Sequence, residues 1–251
     1  MDITKYYTPY CSLTFNDVLL DQAVDGYMTI NVEGRGLLGR VLTTVDVPGK
    51  DGIMVTGAKL NPRGIRVHFL MEADDSATFM RQLNSLHDLL KSDGDVRFQF
   101  GDEEYYRFGQ LSEVENPPYD RTRGIGVFTL FCQDPYKYRD TTALTGTSIT
   151  LPNIGSHPYK ILTMESTLAA TRTGFTISNT TTGRKIILTG SFPAGQKLIV
   201  NHAAGTITLN TVNIKSRLDY IYSDWRNFEI NPGDTITADA AITLSLAERA
   251  L

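Results

Sequence analysis

The chain has 251 residues, 41% of them hydrophobic and 21% charged, a balance that fits a folded globular protein and excludes a disordered one. Its formal charge of −4 argues against phosphate-driven binding of nucleic acid, and no apolar run of 18 residues offers a membrane-spanning helix. The charge is unevenly spread: residues 1–140 hold 15 Lys and Arg against 21 Asp and Glu, while residues 141–251 hold 9 against 7.

Cys11 and Cys132 are the only cysteines, too few for a disulfide framework and wrongly spaced for zinc. Two reduced thiols in a protein made in the cytoplasm are expected, with Cys132 packing as a small hydrophobe. The opening Met1-Asp2-Ile3-Thr4-Lys5-Tyr6-Tyr7 lacks the apolar core of a signal peptide, so export by that route is not expected.

Short strands are predicted at 13–20, 27–32, 41–47, 53–55 and 65–70, separated by Gly and Asp. Pro48-Gly49-Lys50-Asp51-Gly52 reads as a tight hairpin connection. One segment has a helical period. Asp74, Asp75 and Ser76 supply N-cap candidates, and Phe79, Leu83, Leu86 and Leu90 fall on one face. A helix over 76–91 is therefore expected, with Gly94 as a left-handed stop. Strands resume at 96–100, 105–111 and 124–132, the last apolar enough to be covered on both faces, with a loop at 113–119.

Asp134-Pro135 ends that last strand, because proline lacks a ladder donor and steers its predecessor out of helical geometry. Beyond it the chain is rich in Thr and Ser and reads entirely as short strands, at 161–165, 175–178, 185–188, 197–200, 206–209, 218–221, 228–230, 235–238 and 242–246. Turn signals about every 8–12 residues argue for a sandwich. The expected fold is mainly β in two domains, 1–139 with one packed helix and a projecting hairpin over 30–60, and 140–251 as the β-sandwich.

No residue constellation supports catalysis. Gly34-Arg35-Gly36-Leu37-Leu38-Gly39 has the spacing of a dinucleotide-binding loop, but the β-branched Val41-Leu42-Thr43-Thr44-Val45 follows where a helix N-terminus would be needed. His68, His87, His157 and His202 show no metal-ligand spacing. Asp102-Glu103-Glu104 reads as a solvated hairpin tip, since adjacent carboxylates lack the opposed geometry of a glycosidase. Trp225 reads as a packing residue, with a saccharide contact as the alternative. No catalytic residue, no metal and no cofactor are expected.

The Pro48–Gly52 turn, the strand at 65–70, the lone helix at 76–91, the strand ending in Cys132-Gln133-Asp134-Pro135-Tyr136-Lys137-Tyr138, and the late Ser223-Asp224-Trp225 and Asn231-Pro232-Gly233-Asp234 occur in a recognisable order. In that order they resemble the distal tail protein family of long, non-contractile-tailed bacteriophages. Asp234 stands where many relatives carry Asn, and both suit a turn.

The resemblance implies a structural hub of the phage tail tip or baseplate: a hexameric ring, possibly in stacked rings, with galectin-like sandwiches projecting outward. One ring face would meet the tail tube protein and the other the tail-associated lysin or fibre protein. It implies a virion protein synthesised in the host cytoplasm, with no sequence-specific nucleic-acid binding and no membrane insertion. A ring needs two different patches per copy. Residues 30–60 are expected to supply one, through Arg35, Leu37, Leu38, Arg40, Pro48, Lys50 and Asp51. Asp134, Pro135, Tyr136 and Tyr138 are expected to form the interdomain hinge. The alternative is a tail-tip carbohydrate-binding module contacting host cell-wall saccharide through Trp225.

Overall fold

The computed structural model describes residues 8–118, 122–141 and 143–251. The opening seven residues, read above for a signal peptide, lie outside them, as does Tyr119. The chain divides into two compact units, residues 1–137 with Leu251, and residues 138–250. It is mainly β, as its alternating runs require.

The first unit runs β1 (Leu13–Phe15), β2 (Val18–Leu19), α1 (Leu20–Ala23), β3 (Tyr27–Glu33), β4 (Arg40–Asp46), β5 (Ile53–Leu60), β6 (Arg63–Glu72), α2 (Ser76–Leu90), β7 (Val96–Phe100), β8 (Tyr106–Glu115) and β9 (Arg123–Cys132). The single strand expected at 13–20 is instead a short hairpin with a two-residue loop, followed by a four-residue helix. Asn16 and Asp17 take φ of +50° and +62°, the left-handed pair that a tight hairpin requires and that these two side chains tolerate.

Strands β3, β6, β9 and β8 form one antiparallel sheet, and β8 continues into β7, β1 and β2. Helix α2 packs against it through Phe79, Leu83, Leu86 and Leu90, all buried as their spacing predicts. Its start is capped by Asp75, whose carboxylate accepts from the Thr78 amide at 2.8 Å. Its end differs from expectation. Lys91 leaves the helix extended, at φ −67° and ψ 129°, and Gly94 is not among the positive-φ glycines.

Strand β9 also departs from a doubly covered strand. Gly126, Phe128, Leu130 and Cys132 are buried while the alternate residues are half-buried or exposed, Ile125 by 61%. Gly126 is required there: a Cβ would stand 2.4 Å from the Phe69 ring, which stacks on Tyr27. The loop expected over 113–119 begins later, because β8 pairs with β9 through Glu115.

The second unit follows β10 (Lys137–Asp140), which straddles the boundary. It comprises β11 (Leu144–Thr150), β12 (Lys160–Thr167), β13 (Arg172–Asn179), β14 (Lys185–Phe192), β15 (Lys197–Asn201), β16 (Thr206–Leu209), β17 (Val212–Asn213) and β18 (Thr235–Ala250). The strands expected at 235–238 and 242–246 are one 16-residue strand. Its first part pairs with β13 and its second with β12, while β11 follows along both. Two sheets thus share β11 and β18 around a core that includes Phe175, Ile177, Phe192, Phe228, Ile236 and Leu244.

The expected strands at 218–221 and 228–230 are absent. Leu218 and Ile230 make only single bridges, to Leu188 and Tyr159. Asp219 accounts for the first loss, because its Oδ1 accepts from the amides of Ile221 and Tyr222 and closes a turn in place of a ladder.

Candidate assembly surface

Strands β4 and β5 form a two-stranded ribbon that pairs with no other strand among the described residues. An isolated hairpin in water is marginal, and this one carries apolar residues on both faces. Val45 lies opposite Met54, while Val55 opposite Thr44 and Ile53 opposite Asp46 share the other face. Val45, Ile53, Met54 and Val55 are 47–66% exposed, and Leu42 is 53% exposed. Contiguous exposed apolar surface of this kind marks an interaction site on a folded protein.

The ribbon's root is held firmly. Arg63 is 3% exposed, and its Nη1 donates to the carbonyls of Gly34 and Gly36 at 2.8 Å each. Its Nε donates to the Pro135 carbonyl at 3.3 Å. Gly34 passes so close to β6 that a Cβ would stand 2.2 Å from the Gly64 carbonyl oxygen, and its φ is +86°. Arg35 forks onto Asp102 and sits 4.9 Å from the centroid of Phe100.

These contacts correct the reading of residues 102–104 as a solvated tip at Asp102 and Glu103, while Glu104 is exposed as expected. Asp102 and Glu103 are only 16% and 18% exposed in their side chains. Hydrogen bonding to Arg35 holds the Asp102 carboxyl below its usual range. Burial pushes Glu103 up, but Arg107 and Lys137 outweigh it and the net direction is down. Arg35 and Lys137 reach Asp102 and Glu103 across long sequence gaps, which leave no periodic signal, and only the Glu103–Arg107 pair is local, so the tip looked solvated.

Of the residues assigned to a subunit contact, Leu37 projects fully, Leu38 is half-buried, and Arg40, Pro48, Lys50 and Asp51 are exposed. Arg35 instead faces inward to Asp102 and anchors the root. The ribbon apolar residues Leu42, Val45, Ile53, Met54 and Val55 fall inside the expected 30–60 contact segment but were not singled out within it. Their signal was the alternation of a strand with no visible partner. A second open feature is the edge of β3, which pairs only with β6 among the described residues and carries Ile30, 44% exposed.

At the other marked segment, Asp134 Oδ1 accepts from the Tyr136 amide at 3.1 Å, and Pro135 is tied to Arg63. Tyr138 is 2% exposed, with the Lys160 ammonium 4.5 Å from its ring centroid. Trp225 is half-buried against the second core, with His202 and Lys215 beside its ring at 5.0 and 5.9 Å.

Cys11 and Cys132 are free thiols, and burial pushes Cys132 up to about 12. The Gly34–Gly39 segment leads into β4 and not a helix, so it has no dipole for a pyrophosphate. Among the described residues no group of His, Cys, Asp or Glu is arranged to hold a metal, and no helix is long and apolar enough to cross a membrane.

Residues 155–249 match the family model of the siphovirus-type tail component, C-terminal domain. The fold is similar to that of the SPP1 Dit (gp 19.1) protein, described as a paradigm of hub adsorption apparatus in Gram-positive infecting phages. That similarity has a TM-score of 0.81 at 20% identity, over 96% of this chain and 99% of the other. Two structures of the phage P2 baseplate in its activated conformation, with Ca and with Sr, each align at a TM-score of 0.53 and 12% identity. They cover 90% and 88% of this chain, and 91% and 90% of theirs. No curated protein matches in sequence. The resemblance drawn from the sequence is thus borne out in the C-terminal domain by the family and over nearly the whole chain by the fold.

Proposed function

We propose that this chain, a siphovirus-type tail component in its second unit, is a structural hub of a bacteriophage tail tip. Copies join through their first units into a closed ring of six, which links the tail tube protein to the tail-associated lysin or fibre protein. The observation that carries the reading is the β4–β5 ribbon, apolar on both faces and anchored rigidly at its root. A ring interface is head-to-tail and needs two unlike patches. The ribbon supplies one and the open edge of β3 offers the other.

Charge supports a conduit role. Residues 1–140 carry −6, so six copies bring a formal −36 to the ring. A negative lumen repels a DNA backbone and lets it pass without adhesion. Residues 134–138 then serve as the link from which the sandwich projects. Arg63 ties that link to the ribbon root.

Immunogold labelling of intact virions with antibody against the second unit tests the assignment. Label confined to the distal end of the tail is expected. Label along the shaft or on the capsid would overturn it.

A further inference from the structure

The second unit contains an open cavity of about 290 Å³ away from the ribbon. Four separate segments bring cationic or imidazole groups to it: Lys160 at the start of β12, Arg249 at the end of β18, Arg226 from the turn at Trp225–Asn227, and His202 after β15. Three of the nine Lys and Arg in residues 141–251 therefore line a single depression. Glu229 is the one carboxylate in the lining, and it lies 3.6 Å from Arg184.

The floor restricts the chemistry. Phe228, Ile161 and Tyr159 are 1%, 5% and 7% exposed, so they back the cavity with apolar matter and offer no ring face for stacking a sugar. The Tyr159 hydroxyl is within 3.4 and 3.3 Å of the carbonyls of Pro152 and Ile154. His202 Nε2 lies 2.9 Å from the Trp225 carbonyl, which can only accept, so that nitrogen carries the proton. Lys160 is steadied by the Tyr138 ring. An apolar backing raises the worth of each charge above its value in open water.

We infer that this cavity binds a phosphate group, free or esterified to a small polyol. Its lining has three cations against one carboxylate. A phosphate monoester at pH 7 carries about −1.5 to −2, a closer match than a single carboxylate, and guanidinium groups bind its oxygens in pairs. A volume near the lower end of ligand sites suits a small head group better than an oligosaccharide.

Titration of the full chain with inorganic phosphate, glycerol 3-phosphate and glycerol, read by calorimetry, tests this. Saturable binding of at least one phosphate is expected, with none for glycerol. Tighter binding of the ester than of inorganic phosphate identifies an esterified ligand, and equal binding identifies the phosphate alone as what is recognised. Arg226→Ala, at an exposed turn, should weaken binding about tenfold, and Lys160→Ala should do the same. Lys185→Ala, outside the cavity, should leave it unchanged. Absence of saturable binding in the wild-type chain, or equal losses in Arg226→Ala and Lys185→Ala, would overturn the inference.

Discussion

Arg35 grips Asp102 with both prongs of its guanidinium, Nη1 to Oδ1 at 2.5 Å and Nη2 to Oδ2 at 2.8 Å, across 67 residues of sequence. The pair is mostly shielded from solvent, so it is worth more than an exposed ion pair. It fixes the point where the ribbon leaves the body. Arg35→Ala should destabilise the first unit by about 1–3 kcal/mol and speed amide exchange over residues 34–42. Arg35→Lys should recover only part, because an ammonium cannot make the fork. Unchanged exchange in Arg35→Ala would contradict this role.

The same pair sets an acid response. The Asp102 carboxyl titrates below its ordinary 3.8 in the folded chain, first because Arg35 hydrogen-bonds it. A depressed carboxylate contributes stability that is fully present above the unfolded value and is lost as pH falls through the folded one. The difference in melting temperature between wild type and Arg35→Ala should therefore be constant above about pH 5 and shrink below pH 4. Asp21 works in the opposite sense. Burial raises it, although it accepts from the amides of Leu13 and Thr29, so its protonation favours the folded state. A difference that grows with acid would refute the assignment to Asp102.

Periodicity made much of this fold legible. Helix α2 and most of the strands were readable because each buries one face against a neighbour, and that leaves a period of 3.6 or 2. The misses share a cause. Asn16-Asp17 and Asp219 redirect the chain through local backbone geometry and side-chain acceptors, while the apolar letters around them still read as strand. The proposed assembly surface was half visible. The loop at Gly34 and the turn at Pro48 stood out as glycine and proline punctuation, but Arg35 pairs with a residue that no spacing rule connects to it.

Asp234 illustrates a similar limit. It reads as a turn residue, and the structure makes it a buried acceptor, 4% exposed. Its Oδ2 takes hydrogen bonds from Asn179 Nδ2 at 2.7 Å and from the Asn231 amide at 2.8 Å. Asp234→Ala should cost the second unit about 1–3 kcal/mol, because the fully buried Asn179 amide keeps only its bond to the Glu229 carbonyl and the Asn231 amide loses its acceptor. Asp234→Asn should cost less, since its carbonyl oxygen can take over the Oδ2 contacts. Thermal unfolding of the two variants checks the order, and equal losses would count against it.

The ribbon gives the sharpest mutational test of assembly. Val45→Asp with Met54→Asp places charge on one apolar face without touching either core. The doubly substituted chain should melt within about 1 °C of wild type yet sediment as a monomer under conditions where wild type associates. Association unaffected by the two charges would remove the ribbon from the interface.

The central claim is a closed ring built from the first units, and particle imaging tests it most directly. Two-dimensional class averages of the purified chain should show rings of sixfold symmetry with an open centre. Averages showing only separate single chains, at concentrations where the Val45 and Met54 double variant behaves identically, would contradict the account.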